Sequence, residues 1–450
     1  MNKADNHKVD RRAFLGYSAV LGSGLLFPSK IYDRAEKNNP LSTDDLNIAL
    51  LGAGSQGQVL MEACMKIPNL RFKAVCDIWQ DFNLKRAIGF LNKYKHEATG
   101  YENYKEMLQN EKDIDAVIIA TPDFWHAQQT VDCLEAGLHV YCEKEMSNTI
   151  EGAKKMVQTA RKTKKLLQIG HQRRSNPRYI YCFERLIKDI GILGKITTIN
   201  AQWNRSVQPP IGWPKKYGIS PVNLEKYGYA SMEQFRNWRW YRKLGGGPIV
   251  DLGSHQIDVF NWFLETPPHS VIAGGGTDYY DKKDHQWYDT VMAIYDYDTK
   301  YGKVRAFYQT ITTNRSWGYF ENIMGDQGSL NISESAGRGS IYREDAAPDW
   351  QKWVDLGYIK NLEEKSKLET KEAVLDVRET VVPPEYKIPV EMNMPYHQLH
   401  LENFFNSVRG KKKLNCPAEQ SYETAVTVLK VNQSIEQDKR LFFKPEEFQA

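Results

Sequence analysis

Apolar and polar positions follow two different rhythms along this chain. From residue 46 to about residue 170, short apolar runs alternate with stretches in which apolar residues recur every three to four positions. That is the pattern of strands buried on both faces and joined by amphipathic helices. Apolar runs predict strands at 46–51, 72–76, 115–120, 138–142 and 166–170, and helical spacing predicts helices over 80–95, 101–108, 126–136 and 150–163. Strict alternation of the two gives the α/β class, a doubly wound parallel sheet with right-handed crossovers. Beyond residue 172 the rhythm changes. Runs at 196–203, 291–297, 304–312 and 329–332 have no long helices between them, and Tyr297-Asp298-Thr299-Lys300-Tyr301-Gly302 suits a hairpin. A second α/β domain with a mostly antiparallel, open sheet is expected. Helical spacing returns over 397–408 and 419–435, whereas 333–390 is charged and weakly periodic. The expected division is a leader and linker over 1–44, one domain over 45–170 and another over 171–450.

The first strand runs directly into Gly52-Ala53-Gly54-Ser55-Gln56-Gly57, after which Val59, Leu60, Ala63 and Cys64 recur at helical spacing. Strand, glycine turn and helix in that order form a phosphate-binding turn. Gly52 permits the tight bend, Gly54 lets backbone approach a pyrophosphate, and Gly57 lets helix and strand pack closely. The N–H groups that open the helix, from Ser55 and Gln56 on, would hold the phosphates. The second apolar run ends in Asp77, twenty residues after Gly57, where a carboxylate accepts from ribose hydroxyls and disfavours a 2′-phosphate. NAD is therefore expected rather than NADP.

Composition narrows the classes. With 450 residues, 41% hydrophobic and 26% charged, the chain is globular and long enough for two domains. A net charge of +4, evenly spread, argues against a nucleic-acid partner. The six cysteines (64, 76, 133, 142, 182 and 416) have no metal-like spacing and read as small buried hydrophobes, so no metal is expected. Near the N-terminus, Asp10-Arg11-Arg12-Ala13-Phe14-Leu15 precedes an apolar stretch too short to span a membrane stably. It resembles a twin-arginine export signal, which predicts work in the periplasm or outside the cell. Residues 31–44 read as linker.

Three further motifs follow in order: Ala120-Thr121-Pro122-Asp123-x-x-His126, then Ala136-Gly137-x-His139-Val140-x-Cys142-Glu143-Lys144, then Gly170-His171-Gln172-Arg173-Arg174-x-x-Pro177. With the glycine turn, they resemble the glucose–fructose oxidoreductase / inositol dehydrogenase (Gfo/Idh/MocA) family from residue 46 onward. The resemblance implies that Thr121, Pro122, His126, Glu143 and Lys144 lie around the cofactor, with a purely structural role as the alternative for His126 and for His139. It also implies that Arg173 or Arg174 touches cofactor or substrate, exposed ion pairs being the alternative. Members usually carry a proline after the Glu-Lys pair, commonly as a cis peptide, and this chain has Glu145. A cis bond before a non-proline residue costs about 3 kcal/mol, so a turn of different shape is expected at Lys144.

Gly245-Gly246-Gly247-Pro248-Ile249-Val250-Asp251-Leu252-Gly253-Ser254-His255 reads as a glycine run followed by a helix, on which Asp251 and His255, four apart, share a face. A carboxylate beside an imidazole fixes its tautomer and raises its basicity. The resemblance assigns the site to the matching Lys144, Asp251 and His255. His255 would be the base for a sugar hydroxyl, Asp251 its orienting partner, and Lys144 a donor to the reacting oxygen. Trp203, Trp213, Tyr227, Tyr229, Trp238, Trp240 and Tyr241 crowd one stretch; sugar rings stack on indoles, and Trp238-Arg239-Trp240 is the expected substrate platform. By family analogy, the expected activity is hydride transfer between tightly bound NAD and a ring hydroxyl of a sugar or glycoside, at carbon 3. The alternatives are a glycosidase working by oxidation, elimination, hydration and reduction, and a sugar-binding protein without turnover. Homo-oligomers are expected, as in relatives.

Overall fold

The computed structural model describes residues 44–335, 337–362 and 383–450. The expected export signal and most of the expected linker lie outside the described residues.

The first sheet contains β1 (Leu46–Leu51), β2 (Leu70–Cys76), β3 (Thr99–Tyr101), β4 (Ala116–Ile119), β5 (His139–Cys142) and β6 (Leu167–Ile169). Its order is β3-β2-β1-β4-β5-β6, and every pairing is parallel. Helices α1 (Ser55–Cys64), α2 (Lys85–Lys93), α3 (Tyr104–Asn110), α4 (Asp123–Glu135) and α5 (Ile150–Thr163) supply the crossovers. The order in which strands are added reverses between β1 and β4, which opens a crevice at their carboxyl ends. Two expected boundaries move. The helix expected over 80–95 opens with a π turn at Gln80–Leu84, and the segment expected as helix over 101–108 is the end of β3 followed by α3.

The glycine turn matches its expected mechanics. Gly52 has φ +88°, and a Cβ there would lie 2.7 Å from the Ala120 carbonyl. A Cβ on Gly57 would overlap the Gly52 carbonyl oxygen, so α1 packs against the end of β1 only because both residues lack side chains.

The second sheet has ten strands: β7 (Ile196–Asn204), β8 (Ser270–Gly276), β9 (Thr290–Thr299), β10 (Gly302–Ile311), β11 (Tyr319–Gly325), β12 (Gly328–Ile332), β13 (Gly339–Arg343), β14 (Lys360–Asn361), β15 (Glu385–Lys387) and β16 (Leu441–Phe442). Their order is β14-β15-β13-β12-β11-β7-β10-β9-β8-β16, antiparallel except for the β7–β10 pair. Ile272, Met292 and Ile294 are exposed on β8 and β9, while their neighbours Val271, Val291 and Ala293 are fully buried against the helices of this half. Alternation therefore leaves one sheet face open.

The last helices, α8 (Tyr396–Val408) and α9 (Ala418–Glu436), close the molecule. Leu401, Phe404 and Phe405 of α8 pack in one cluster with Ile48, Leu50 and Phe72 of the parallel sheet. A second cluster runs without interruption from Val117 and Ile119 through Ala153 to Ile199 and Tyr308. The C-terminal segment thus returns to the first half of the chain, so the two sheets are held at a fixed spacing by a shared core. All six cysteines are buried. Among the described residues no helix is long and apolar enough to cross a membrane.

Replacing Gly57 with alanine forces the overlap with the Gly52 carbonyl. The variant is expected to lose about 2 kcal/mol or more of stability in urea denaturation; an unchanged midpoint would contradict this packing.

Candidate active site

The carboxyl ends of β1, β2, β4 and β5 open on one cleft of about 550 Å³, lined at one end by Gly52, Gly54, Ser55, Gln56 and Asp77. No side chain caps the start of α1, and a Cβ on Gly54 would meet nothing closer than Asn83 Nδ2 at 4.0 Å. The helix opening is therefore bare, and Gly54 faces space that a ligand can fill. Asp77 is buried at the end of β2, where its Oδ2 accepts from the Ala53 N–H at 2.8 Å and its Oδ1 from the Trp79 N–H at 2.7 Å. Burial raises its pKa to about 6 against these bonds. Thr121 and Pro122, after β4, and Glu143, after β5, also line the cleft. Burial lifts Glu143 to about 7, and its carboxylate accepts from Gln172 Nε2 at 3.1 Å.

Lys144 follows Glu143. The Lys144–Glu145 peptide is cis although residue 145 is not proline. The Lys144 ammonium donates to Asp251 Oδ1 at 2.9 Å and also to the Asp251 carbonyl oxygen. Asp251 ends a short helix, α6 (Gly247–Asp251), reached through the glycine run, and α7 (Gly253–Leu264) starts again after a break at Leu252. Gly247 needs its φ of +80°, and a Cβ there would collide with Trp287.

The break at Leu252 corrects the expected Asp251–His255 pair. The two residues sit on different helices, and the Asp251 carboxylate is taken by Lys144 and by Arg239 Nε at 3.1 Å. Burial alone would raise the Asp251 pKa, but Lys144, then Arg239 and Arg205, hold it well below the usual carboxylate range. His255 lines the same cleft and stacks at a tilt on Trp203, with ring centroids 5.7 Å apart. Its Nδ1 is buried without a partner, which leaves Nε2 as the nitrogen facing the cleft. Burial first, then the charges of Lys144 and Arg173, lower its pKa well below 6.5, so the ring is neutral at pH 7.

Three expected contacts lie elsewhere. His126 is buried between two carbonyl groups, its Nδ1 2.7 Å from Glu145 O and its Nε2 2.7 Å from Thr121 O, and it joins two strand-end turns instead of lining the cleft. Arg173 is fully buried, paired with Glu321 at 2.9 Å and Glu334 at 3.3 Å. Arg174 grips Asp258 at 2.8 Å. These arginines therefore brace the second half of the chain beneath the site, because a guanidinium removed from water must be paired. His139 accepts from the Leu166 N–H at 3.0 Å, also structurally.

Trp238, Arg239 and Trp240 do line the cleft, whereas Trp213 packs beside Trp79 in a satellite cluster. Trp240 stacks on His285, and His285 on Tyr280, with centroids 3.6 and 3.9 Å apart. Tyr280, His285 and Arg205 were not singled out from the sequence, and Asp123 stood in the Ala120–His126 motif without a role. The aromatic density of Tyr279-Tyr280 with His285-Gln286-Trp287-Tyr288 was the available signal for the first two. Asp123 is buried beside the site, where burial and then the Asp251 charge raise its pKa to about 7.

Residues 46–171 match an oxidoreductase family with an NAD-binding Rossmann fold, and residues 187–442 match the same family's C-terminal alpha/beta domain. The chain belongs to the Gfo/Idh/MocA oxidoreductase family. The Rossmann half of this family member is its NAD-binding domain, in agreement with the bare helix opening and Asp77. D-glucoside 3-dehydrogenase of Escherichia coli (strain K12) is 28% identical over 230 residues, 50% of this chain and 56% of that protein. Alpha-N-acetylgalactosaminidase of Shewanella oneidensis is 33% identical over 178 residues, 35% and 38% of the two chains. The WlbA dehydrogenase from Bordetella pertussis, crystallised with NADH and UDP-GlcNAcA, has a TM-score of 0.62 and 18% identity over 89% of this chain and 99% of that one, which shows a shared fold. The chain spans about half the length of the curated relatives it matches.

Glu145 supplies a pH test of this turn. It is fully buried, and burial raises its pKa to about 8 from 4.5. The folded state therefore holds a proton that the unfolded chain releases above about pH 4.5, and stability contributed by the protonated form is lost as pH rises toward 8. Glu145→Gln is expected to denature like the parent near pH 5 and to be more stable by about 2–4 kcal/mol at pH 9. Equal stability at both pH values would contradict the burial of this carboxyl.

Proposed function

We propose that this protein oxidises a ring hydroxyl of a sugar or glycoside at carbon 3, using NAD that stays bound between turnovers. The observation that carries the reading is the meeting of Lys144, from the end of β5, with Asp251 and His255, from α6 and α7, in the cleft that also contains Gly54 and Asp77. The coarser statement, an NAD-binding oxidoreductase related to sugar and polyol dehydrogenases, follows from the family. The choice of carbon 3 is supported by the similarity to D-glucoside 3-dehydrogenase.

Bound NAD supplies a hydride acceptor. The remaining steps belong to this chain's side chains. His255 takes the hydroxyl proton at Nε2, for which its neutrality suits it. Lys144 donates to the oxygen that gains negative character, and Asp251 holds that ammonium in position from the opposite half of the molecule. Asp251 thus orients Lys144 and Arg239 rather than His255. Trp238 and Trp240 offer apolar faces to the sugar ring.

The twin-arginine-like leader supports an exported enzyme, and a site remote from cytoplasmic NAD favours a retained cofactor recycled by a second substrate. We also propose the open face of the second sheet as the contact of a homo-oligomer. A second reading, glycoside cleavage through a transient ketone, is favoured by the 33% identity to an alpha-N-acetylgalactosaminidase.

The test uses purified protein with its nucleotide bound. Glycosides are titrated while the near-ultraviolet absorbance of reduced nicotinamide and the release of a nitrophenyl aglycone are followed. The dehydrogenase reading predicts reduced nicotinamide and a stable keto sugar. Lys144→Ala and His255→Ala should each slow the reduction about 10²-fold or more. Aglycone release without net reduction would shift the assignment to the glycosidase, and variants as fast as the parent would overturn both readings.

A further inference from the structure

Most charged side chains around the substrate end of the cleft are paired. Lys144 and Arg239 share Asp251. Glu334 is taken by Arg173. Asp289 receives the N–H groups of Asp278, Tyr279 and Tyr280. Arg205 lines the same cleft and is partly buried; among the described residues its guanidinium makes no ion pair or hydrogen bond, and Asp251 acts on it only at longer range. Its guanidinium carbon lies 5.3 Å from the centroid of the Trp203 indole.

This arginine is held in place by its backbone. Arg205 N–H donates to Ile311 O at 2.8 Å, Asn204 N–H to Gly318 O at 2.9 Å, and Thr310 Oγ1 to Trp203 O at 2.9 Å. Trp203 itself is stacked on Tyr319 at 4.7 Å. Burial lowers the Arg205 pKa, and the charge of Asp251, already shared by Lys144 and Arg239, offsets only part of that cost. A partner that arrives with the substrate removes that cost. The same indole carries His255 at 5.7 Å, so Arg205 and the proposed base share one aromatic neighbour in the cleft.

We infer that the substrate bears a carboxylate, as in a uronic acid or its glycoside, and that Arg205 is the residue that selects it by a two-pronged charge-assisted bond. A single guanidinium matches a single negative charge, which favours a carboxylate over a doubly charged phosphate. This inference rests on the sugar-oxidising reading above, and it defines the substrate class for that site.

The test compares methyl glucosides, methyl glucuronides of both anomers and glucose 6-phosphate on the NAD-loaded protein. Binding is read by quenching of tryptophan fluorescence and oxidation by reduced nicotinamide. The glucuronide should bind about ten- to hundredfold more tightly than the neutral glucoside, and its advantage should shrink with added salt. Arg205→Ala and Arg205→Gln should collapse that ratio toward one, while Arg205→Lys retains part of it. Equal binding of the two sugars, a ratio unchanged in Arg205→Ala, or preference for the 6-phosphate would each overturn the inference. If neutral sugars are oxidised without any advantage for the uronate, the inference falls and the dehydrogenase reading stands. If the uronate binds through Arg205 but reduces no nicotinamide, the reading falls and the inference stands.

Discussion

One end of the cleft depends on a single shared carboxylate. Asp251 accepts from Lys144 at 2.9 Å and from Arg239 at 3.1 Å, and two cations around a buried acid hold it ionised against the cost of desolvation. The interaction joins the end of a parallel strand to a helix from the other half of the chain. It therefore fixes the separation of the two halves where the chemistry is expected, and it keeps the Lys144 ammonium aimed rather than free to rotate. Beneath it, Arg173 with Glu321 and Arg174 with Asp258 repeat the same device in drier surroundings. A network of this kind is sensitive to the loss of any member, because each remaining charge is left buried and unpaired.

At the other end, the constraint is steric. Gly52 and Gly57 bring β1, α1 and the turn after β4 into contact distances that no side chain would allow, and this leaves the N-terminus of α1 open to the cleft. Gly54 has room for a side chain in the protein alone. Its requirement for glycine belongs to the pyrophosphate that lies there when NAD is bound. The two ends impose different demands, close backbone packing at one and paired charges at the other, and the strand ends between them supply Thr121, Glu143 and Lys144 to both.

Much of this was legible in the sequence because it is local. The five apolar runs of the first half each became a strand, and the spacing from Gly57 to Asp77 placed a carboxylate at the end of β2 as expected. Lys144, Asp251 and His255 were found through motifs and do share one cleft. What was not legible depends on partners distant in the chain. Nothing near Arg173 announces Glu321 or Glu334, and nothing near Arg174 announces Asp258, so two buried ties were read as ligand contacts. The break at Leu252, which no helical periodicity announces, puts Asp251 and His255 on different helices, and the partner of Asp251 is Lys144 rather than His255. Arg205 carries no motif at all; only the fold shows that it has no ion pair of its own and lies in the field of the shared Asp251. The strands at 270–276, 319–325 and 339–343 were missed because glycines and half-buried polar residues interrupt their alternation.

The most direct measurement is a double-mutant cycle on Lys144 and Asp251, read as the rate at which bound nicotinamide is reduced by a saturating sugar. If Asp251 acts by holding Lys144, the combined variant Lys144→Met with Asp251→Asn should be little slower than the worse single variant, a coupling of about 1.5 kcal/mol or more. Losses that simply add, to within about 0.5 kcal/mol, would mean that the two residues act independently and that the shared carboxylate does not organise the site.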